Sequence, residues 1–290
     1  MNHCMFDGIA AMEFVNSWAE TARGLPLSNP PILDRSILAA RVPPIINHPH
    51  TEFQEIEDLS ALQDLSLDAH NMAYRSFCFS PESLDRLKKK AMADGALPRQ
   101  CTSFEALSGL VWKARTESMD MKPEQKTKLL FPVDGRAKFK PPLPRGYMGN
   151  SIVLTFALAE AGQLRDKPLS NAVRHVQDAI ALVTDDYMRS AIDFFEVTRS
   201  PMPFATSLTI AQWSRLSFHT SDFGWGEPVH TGPVYYPKEI ILFLSHGEDR
   251  TSINVLLKLS PKAMQKFEEI LKRELGLSPR EFDPNHSMSG

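Results

Sequence analysis

Apolar side chains in "GIAAMEFVNSWAETARG" fall at Met12, Val15, Ala19 and Ala22, a helical spacing that predicts a helix over about 9–22, stopped at Arg23-Gly24. The prolines of the next stretch, "LPLSNPPILDRSILAARVPPIINHPH", forbid regular helix or central strand and predict a long connection between two lobes. Beyond it, Tyr74, Phe77 and Phe79 alternate imperfectly with polar residues as a strand, followed by a helix with Ser80 as cap and Pro81 at its first position. "TSFEALSGLVWKARTES" carries an apolar face through Phe104, Leu107, Leu110 and Val111. "KLLFPVDGRAKF" reads as a strand entering a turn at Asp134-Gly135, and "NSIVLTFALAEAG" as a β-branched strand. "PLSNAVRHVQDAIALVTDDYMRSAIDFFE" reads as one long helix. "TSLTIAQW", "EIILFLSHG" and "TSINVLLKL" read as buried strands, and "SPKAMQKFEEILKREL" as a closing helix capped by Ser260, with a frayed tail after Leu277. Strands alternating with helices, split by a long crossover, predict a two-lobed α/β protein.

Composition alters this picture little. The 290 residues carry a net charge of -3, with 42% hydrophobic and 23% charged residues. That balance gives no electrostatic case for nucleic acid, and no stretch reaches the roughly 20 apolar residues of a membrane span. Cys4, Cys78 and Cys101 are too few and scattered for a disulfide framework or a metal site, and no signal-peptide pattern opens the chain. The expected setting is the cytoplasm, with small-molecule partners and no metal or cofactor.

Two short segments stand out chemically. His3, Asp7 and Gly8 form H-x-x-x-D-G just before the first helix. An imidazole with an ordinary pKa of about 6.5 is suited to taking a proton from a hydroxyl and returning it to a leaving group. Spacing alone also fits a surface histidine and a helix-capping aspartate. The other segment, "SDFGWGEP", contains Asp222-Phe223-Gly224-Trp225-Gly226, which arises by chance in a chain this long about once in ten thousand. Two glycines permit backbone angles other residues resist, and Asp222 can tie such a turn, which suggests a structural clasp. A protein kinase shares Asp-Phe-Gly, but its glycine-rich loop, strand lysine and H-R-D loop have no counterpart here.

Taken in order, these two motifs resemble the BAHD family of plant acyl-CoA-dependent acyltransferases. "DGRAKFKPPLPRGYMGN" and "WSRLSFHTSDFGWGEP" extend the resemblance over nearly the whole chain. It implies a chloramphenicol acetyltransferase-like fold with mixed sheets, flanking helices and a channel between lobes. Residues 1–44, with 219–245 packed on them, would be a remnant of the first lobe, 45–71 the crossover, and 72–218 with 246–290 the second lobe. Family members carry a further lobe's worth of chain before the histidine, so the first lobe is expected to be incomplete.

The resemblance further implies site roles. His3 matches the general base, and Trp213 a possible oxyanion donor through its indole N–H. Asp7 matches an aspartate pointing away from substrate and pairing with an arginine, here Arg136. Asp222, Gly224, Trp225 and Gly226 match a structural motif remote from the reacting atoms. Thr102 and Ser103 match a region near CoA, although hydroxyls before a helix also serve as caps. Cys4 is expected to be a small buried filler. Where many members have threonine two residues before the tryptophan, Ala211 stands here. The segments around both motifs are most similar to the branch that moves feruloyl or caffeoyl groups from CoA to ω-hydroxy fatty acids and long-chain alcohols, associated with suberin and wax. An active O-acyltransferase, monomeric if complete, is the expected function. The alternative is a truncated, noncatalytic acyltransferase-like binding partner, or a fragment of a longer enzyme.

Overall fold

A computed structural model describes residues 2–54, 72–200, 207–233, 240–247 and 249–276. Asp7 opens helix α1 (Gly8–Ala22) by accepting a hydrogen bond from Ala10 N through Oδ1 at 2.9 Å. The proline-rich connection follows as extended chain with two short 3-10 turns, Ser36–Leu38 and Thr51–Phe53. Then come β1 (Ala73–Phe79), α2 (Pro81–Met92) capped by Ser80, α3 (Ser103–Ser118), β2 (Lys126–Asp134) and β3 (Ile152–Glu160). Helices α4 (Ala161–Asp166), α5 (Leu169–Leu182) and α6 (Asp185–Thr198) precede β4 (Leu208–Gln212), β5 (Ile240–His246), β6 (Ser252–Leu259) and α7 (Pro261–Leu275).

The strands form one six-stranded mixed sheet in the order β1-β6-β5-β4-β2-β3. The β2–β4 and β4–β5 pairs are parallel and the outer pairs antiparallel. Alternation in β6 shows how one face is selected: Ile253, Val255, Leu257 and Leu259 are buried and the residues between them are half-buried. That face packs with α2, α3, α5 and α7 into the main core, where Phe77, Leu110, Trp112, Phe131, Val176 and Phe267 are almost wholly buried. A smaller core of Phe139, Leu143, Tyr147, Val183, Tyr187 and Met188 gathers the loop after β2 against α6.

Three expectations need correction. The stretch from Pro168 to Glu196 is two helices, because Val183 leaves helical angles (ψ 86°) and Thr184 caps a new start through Oγ1, which accepts from Tyr187 N at 3.2 Å. Ala161 and Gly162, read as the end of a strand, instead open the six-residue helix α4. Residues 240–245 do not go with the N-terminal segment: they are most of β5, hydrogen-bonded in parallel to β4 and antiparallel to β6. An interior strand cannot leave its sheet without stranding backbone donors and acceptors on both sides.

The crossover expected over 45–71 lies outside the described residues from 55 onward, as does the tail after Leu277. Its described part is fastened rather than free. Asp193 on α6 is buried and accepts from Arg41 N, Arg41 Nε and Ile45 N at 2.6–2.8 Å. Three residues earlier, Ser190 Oγ accepts from Asn47 N at 3.1 Å and His48 N at 3.3 Å and lies 2.8 Å from His50 Nε2, whose Nδ1 meets Glu52 at 2.7 Å. This serine–histidine–carboxylate row is fully buried and its serine oxygen is occupied by backbone donors, so it is a fastening rather than a nucleophile.

Candidate active site

The sheet delivers one end of β2, β3 and β4 to a cavity of about 1070 Å³, walled by these strands, the start of α1 and the segment from Gln212 to Pro233. His3 and Trp213, far apart in the sequence, both line it. Much of the wall is apolar, including Phe6, Ile9, Val15, Pro132, Ile152, Leu216 and Phe223. Such a wall suits an aliphatic or aromatic ligand around a few polar groups.

His3 sits in a turn spanning residues 3–5, closed by Met5 N donating to Asn2 O at 3.0 Å, with Cys4 N donating to Asn2 Oδ1 at 2.9 Å. Its imidazole has no hydrogen bond among the described residues, and Asp7, four residues on, does not reach it. Asp7 is 1% exposed and fully engaged. Its oxygens accept from Arg136 at 2.9 and 3.0 Å, from Ala10 N and Ser151 N at 2.9 Å, and from Ser151 Oγ at 3.4 Å. Burial alone would raise the carboxyl's pKa, but the hydrogen bonds from Arg136, Ala10 and Ser151 outweigh it and hold Asp7 below the usual carboxylate range. Asp7 is therefore an ionised anchor and the helix cap at once.

Trp213 follows β4 directly. Its N–H donates to Phe243 O at 2.8 Å and its carbonyl accepts from Leu216 N at 2.9 Å, while its ring lies 6.0 Å from Phe218. Among the described residues its indole N–H makes no hydrogen bond. Ala211 also faces the cavity and offers no side-chain donor.

The Asp222–Gly226 turn closes on itself. Asp222 Oδ1 accepts from Gly224 N at 2.7 Å and Gly226 N at 2.9 Å, and Oδ2 accepts from Arg23 at 3.2 Å. Those two backbone donors hold the Asp222 carboxyl below its ordinary pKa. Gly224 and Gly226 have φ of +108° and +94°, angles that L side chains resist. Phe223 lines the cavity and packs edge-on to Trp18 of α1 at 5.4 Å, whereas Trp225 is 93% exposed. The turn thus fastens the end of α1 to the cavity wall.

Thr102 and Ser103 do not line the cavity. Thr102 caps α3 in a reciprocal box: its hydroxyl accepts from Glu105 N at 3.2 Å while the Glu105 carboxylate accepts from Thr102 N at 3.0 Å. Cys4 is exposed rather than buried. Sequence reasoning missed Arg215 and His230 in the cavity wall, and Arg35, Asn150 and Ser151 around the His3 turn. Asn150 and Ser151 follow "GYMG" directly, but nothing in that string names their partners.

Residues 1–273 match the model of the transferase family. The chain belongs to this BAHD transferase family. Among curated BAHD relatives, it is 60% identical over 272 residues to the omega-hydroxypalmitate O-feruloyl transferase of Arabidopsis thaliana, covering 93% of this chain and 59% of that protein. Over 272 residues it is 53% identical to the fatty alcohol:caffeoyl-CoA acyltransferase of the same plant, covering 93% and 62%. It therefore spans roughly three fifths, 59% and 62%, of these relatives' lengths. The crystal structure of vinorine synthase superposes with a TM-score of 0.67 at 22% identity, over 94% of this chain and 61% of that one, a likeness of fold. No helix among the described residues is long and apolar enough to cross a membrane.

Proposed function

We propose that this chain carries the reacting centre of an acyl-CoA-dependent O-acyltransferase that moves a feruloyl or caffeoyl group from CoA to the terminal hydroxyl of an ω-hydroxy fatty acid or a long-chain alcohol. The observation that carries the reading is the meeting of His3 and Trp213 on one largely apolar cavity, in a chain that aligns with relatives named for those reactions. His3 takes the proton of the acceptor hydroxyl as its oxygen attacks the thioester carbonyl. The tetrahedral oxyanion accepts a hydrogen bond from the Trp213 indole, a contact of the kind worth roughly 3 kcal/mol in the transition state. Collapse breaks the C–S bond, and His3 returns the proton to the CoA thiolate. The acyl group passes directly between substrates, so no enzyme nucleophile is needed, and exposed Cys4 has no part in the step.

The purified chain incubated with feruloyl-CoA and 16-hydroxypalmitate should release free thiol and form the ester. His3→Ala should abolish turnover, and Trp213→Phe should lower kcat by about 10²-fold. Equal turnover by His3→Ala refutes the role given to that residue. A second reading, a noncatalytic acyltransferase-like binding protein, draws on a separate apolar groove of about 530 Å³ beside α1, where Trp18 and Leu33 are 60% and 67% exposed. No ester in any condition, with feruloyl-CoA still bound, would favour it. We further propose a cytoplasmic protein, on the three free cysteines, that is monomeric if complete. Sedimentation and a fluorescent fusion test both points.

A further inference from the structure

We infer that Asn150 is the positioning residue for the His3 imidazole. The inference rests on His3 acting as the base. Among the described residues the ring itself is held by nothing: no side chain hydrogen-bonds it, and Asp7 is committed to Arg136, Ser151 and the α1 cap. The main chain that carries it therefore sets where its Cα–Cβ bond points, and with it the positions that the ring can reach. Asn150 Nδ2 donates to the His3 carbonyl at 2.8 Å, across 147 residues of sequence.

Asn150 stands on a firm support. The three residues immediately before β3 grip the motif at successive points: Gly149 O accepts from Arg136 at 3.3 Å, Asn150 holds His3, and Ser151 N donates to Asp7 at 2.9 Å. Arg35 completes the arrangement, donating to Met5 O at 3.3 Å and Met148 O at 3.4 Å. Carbonyl, carbonyl and carboxylate of residues 3, 5 and 7 are thus each tied to the 148–151 strip, directly or through an arginine. Asp7 and Ser151 are buried, whereas Asn150 and His3 are exposed. Water competes for an exposed amide–carbonyl bond, so its effect on global stability is small. Its effect on direction is not, because the bonded carbonyl fixes the peptide plane adjoining the His3 α-carbon. Asn150 does not line the cavity, so it acts through His3 and not on substrate.

Asn150→Ala and Asn150→Asp test this on the full chain, the second placing an acceptor where the donor stood. Three readouts are taken: kcat and KM for feruloyl-CoA, the thermal midpoint, and the His3 ring ¹H–¹³C NMR signal assigned by its loss in His3→Gln. Positioning predicts kcat lowered by about 10- to 100-fold with KM for the thioester unchanged. It also predicts a shifted or broadened His3 signal, partial recovery of both in Asn150→Gln, and an unchanged midpoint. A lowered midpoint with an unmoved His3 signal would make Asn150 a structural staple and overturn the inference, as would kcat within twofold of the parent with that signal unmoved. Full turnover by His3→Ala would instead remove the reading of His3 as base, and the NMR signal would still decide whether Asn150 orients the ring.

Discussion

Replacing Asp7 separates an anchoring aspartate from a catalytic one. In Asp7→Ala, helix α1 loses its N-cap, worth about 1 kcal/mol. Ser151 N–H is left buried without an acceptor, which costs about 1–3 kcal/mol. The Arg136 guanidinium, whose side chain is only 17% exposed, loses its buried partner and keeps Asp134 at 3.1 Å and Gly149 O at 3.3 Å. Breaking one side of a buried pair costs about 3–5 kcal/mol, and this figure already contains part of the other two. The expected total is therefore about 3–5 kcal/mol, a large share of the roughly 5–15 kcal/mol that holds a typical domain together. Asp7→Asn keeps an oxygen for Ala10 N and should recover about 1 kcal/mol of the loss. Urea unfolding followed by far-ultraviolet ellipticity reads both, with the midpoint moving and the slope unchanged. Because Asp7 does not touch the imidazole, the activity left in Asp7→Asn should titrate on the same acid limb as the parent. Destabilisation of Asp7→Ala by less than about 1 kcal/mol, or a displaced acid limb in Asp7→Asn, would refute this reasoning.

Other outcomes follow from the same geometry. Burial would raise the carboxyls of Asp7, Glu105 and Asp193, but their arginine and backbone partners hold all three below ordinary values. A lowered native pKa means the unfolded chain takes up protons first, so their contribution is full above the ordinary carboxylate range of about 4 and is lost as pH falls through the native values. The urea midpoint should be flat from neutral pH to about 5 and fall below about 4, and Arg136→Gln should make that fall shallower. Gly224→Ala meets no neighbour closer than Arg23 Cγ at 3.9 Å, so its penalty is backbone strain at φ +108°, about 1 kcal/mol or more in a thermal melt. Trp225→Ala, at an exposed position, should stay within about 0.5 kcal/mol of the parent. Ser190→Ala leaves His50 and two backbone N–H groups without their partner and should cost about 2 kcal/mol or more, with turnover per folded molecule unchanged.

What the sequence made legible is what local rules control. The strands at Ala73–Phe79 and Ser252–Leu259 and the Ser-Pro starts of α2 and α7 follow from alternation and capping alone. The break at Val183-Thr184 did not, because a capping threonine inside an unbroken apolar period looks like a tolerated helical residue. The membership of Ile240–His246 in the sheet also escaped, since periodicity marks a strand but not its neighbours. At the site, residue types were legible and partners were not. Arg136, Ser151 and Asn150 lie 129, 144 and 147 residues from the groups they hold, and no spacing rule reaches that far.

The spacing of the first motif nevertheless has a physical origin that the structure supplies. His3 must stand in the turn that projects it into the cavity, and the helix that walls the cavity must begin immediately after that turn. A helix begins at a cap, and the residue next able to serve, Asp7, takes that position with one oxygen while both its oxygens reach Arg136 and one also receives Ser151 N. Gly8 then starts the helix against Leu216, whose Cδ1 lies 3.0 Å from where a β-carbon would stand, so a larger residue there would require the Leu216 side chain to give by a few tenths of an ångström. Histidine, three residues, aspartate and glycine are therefore one turn, one cap and one close contact in sequence. The separation is the distance between a ring that makes no hydrogen bond among the described residues and the anchor that holds its loop.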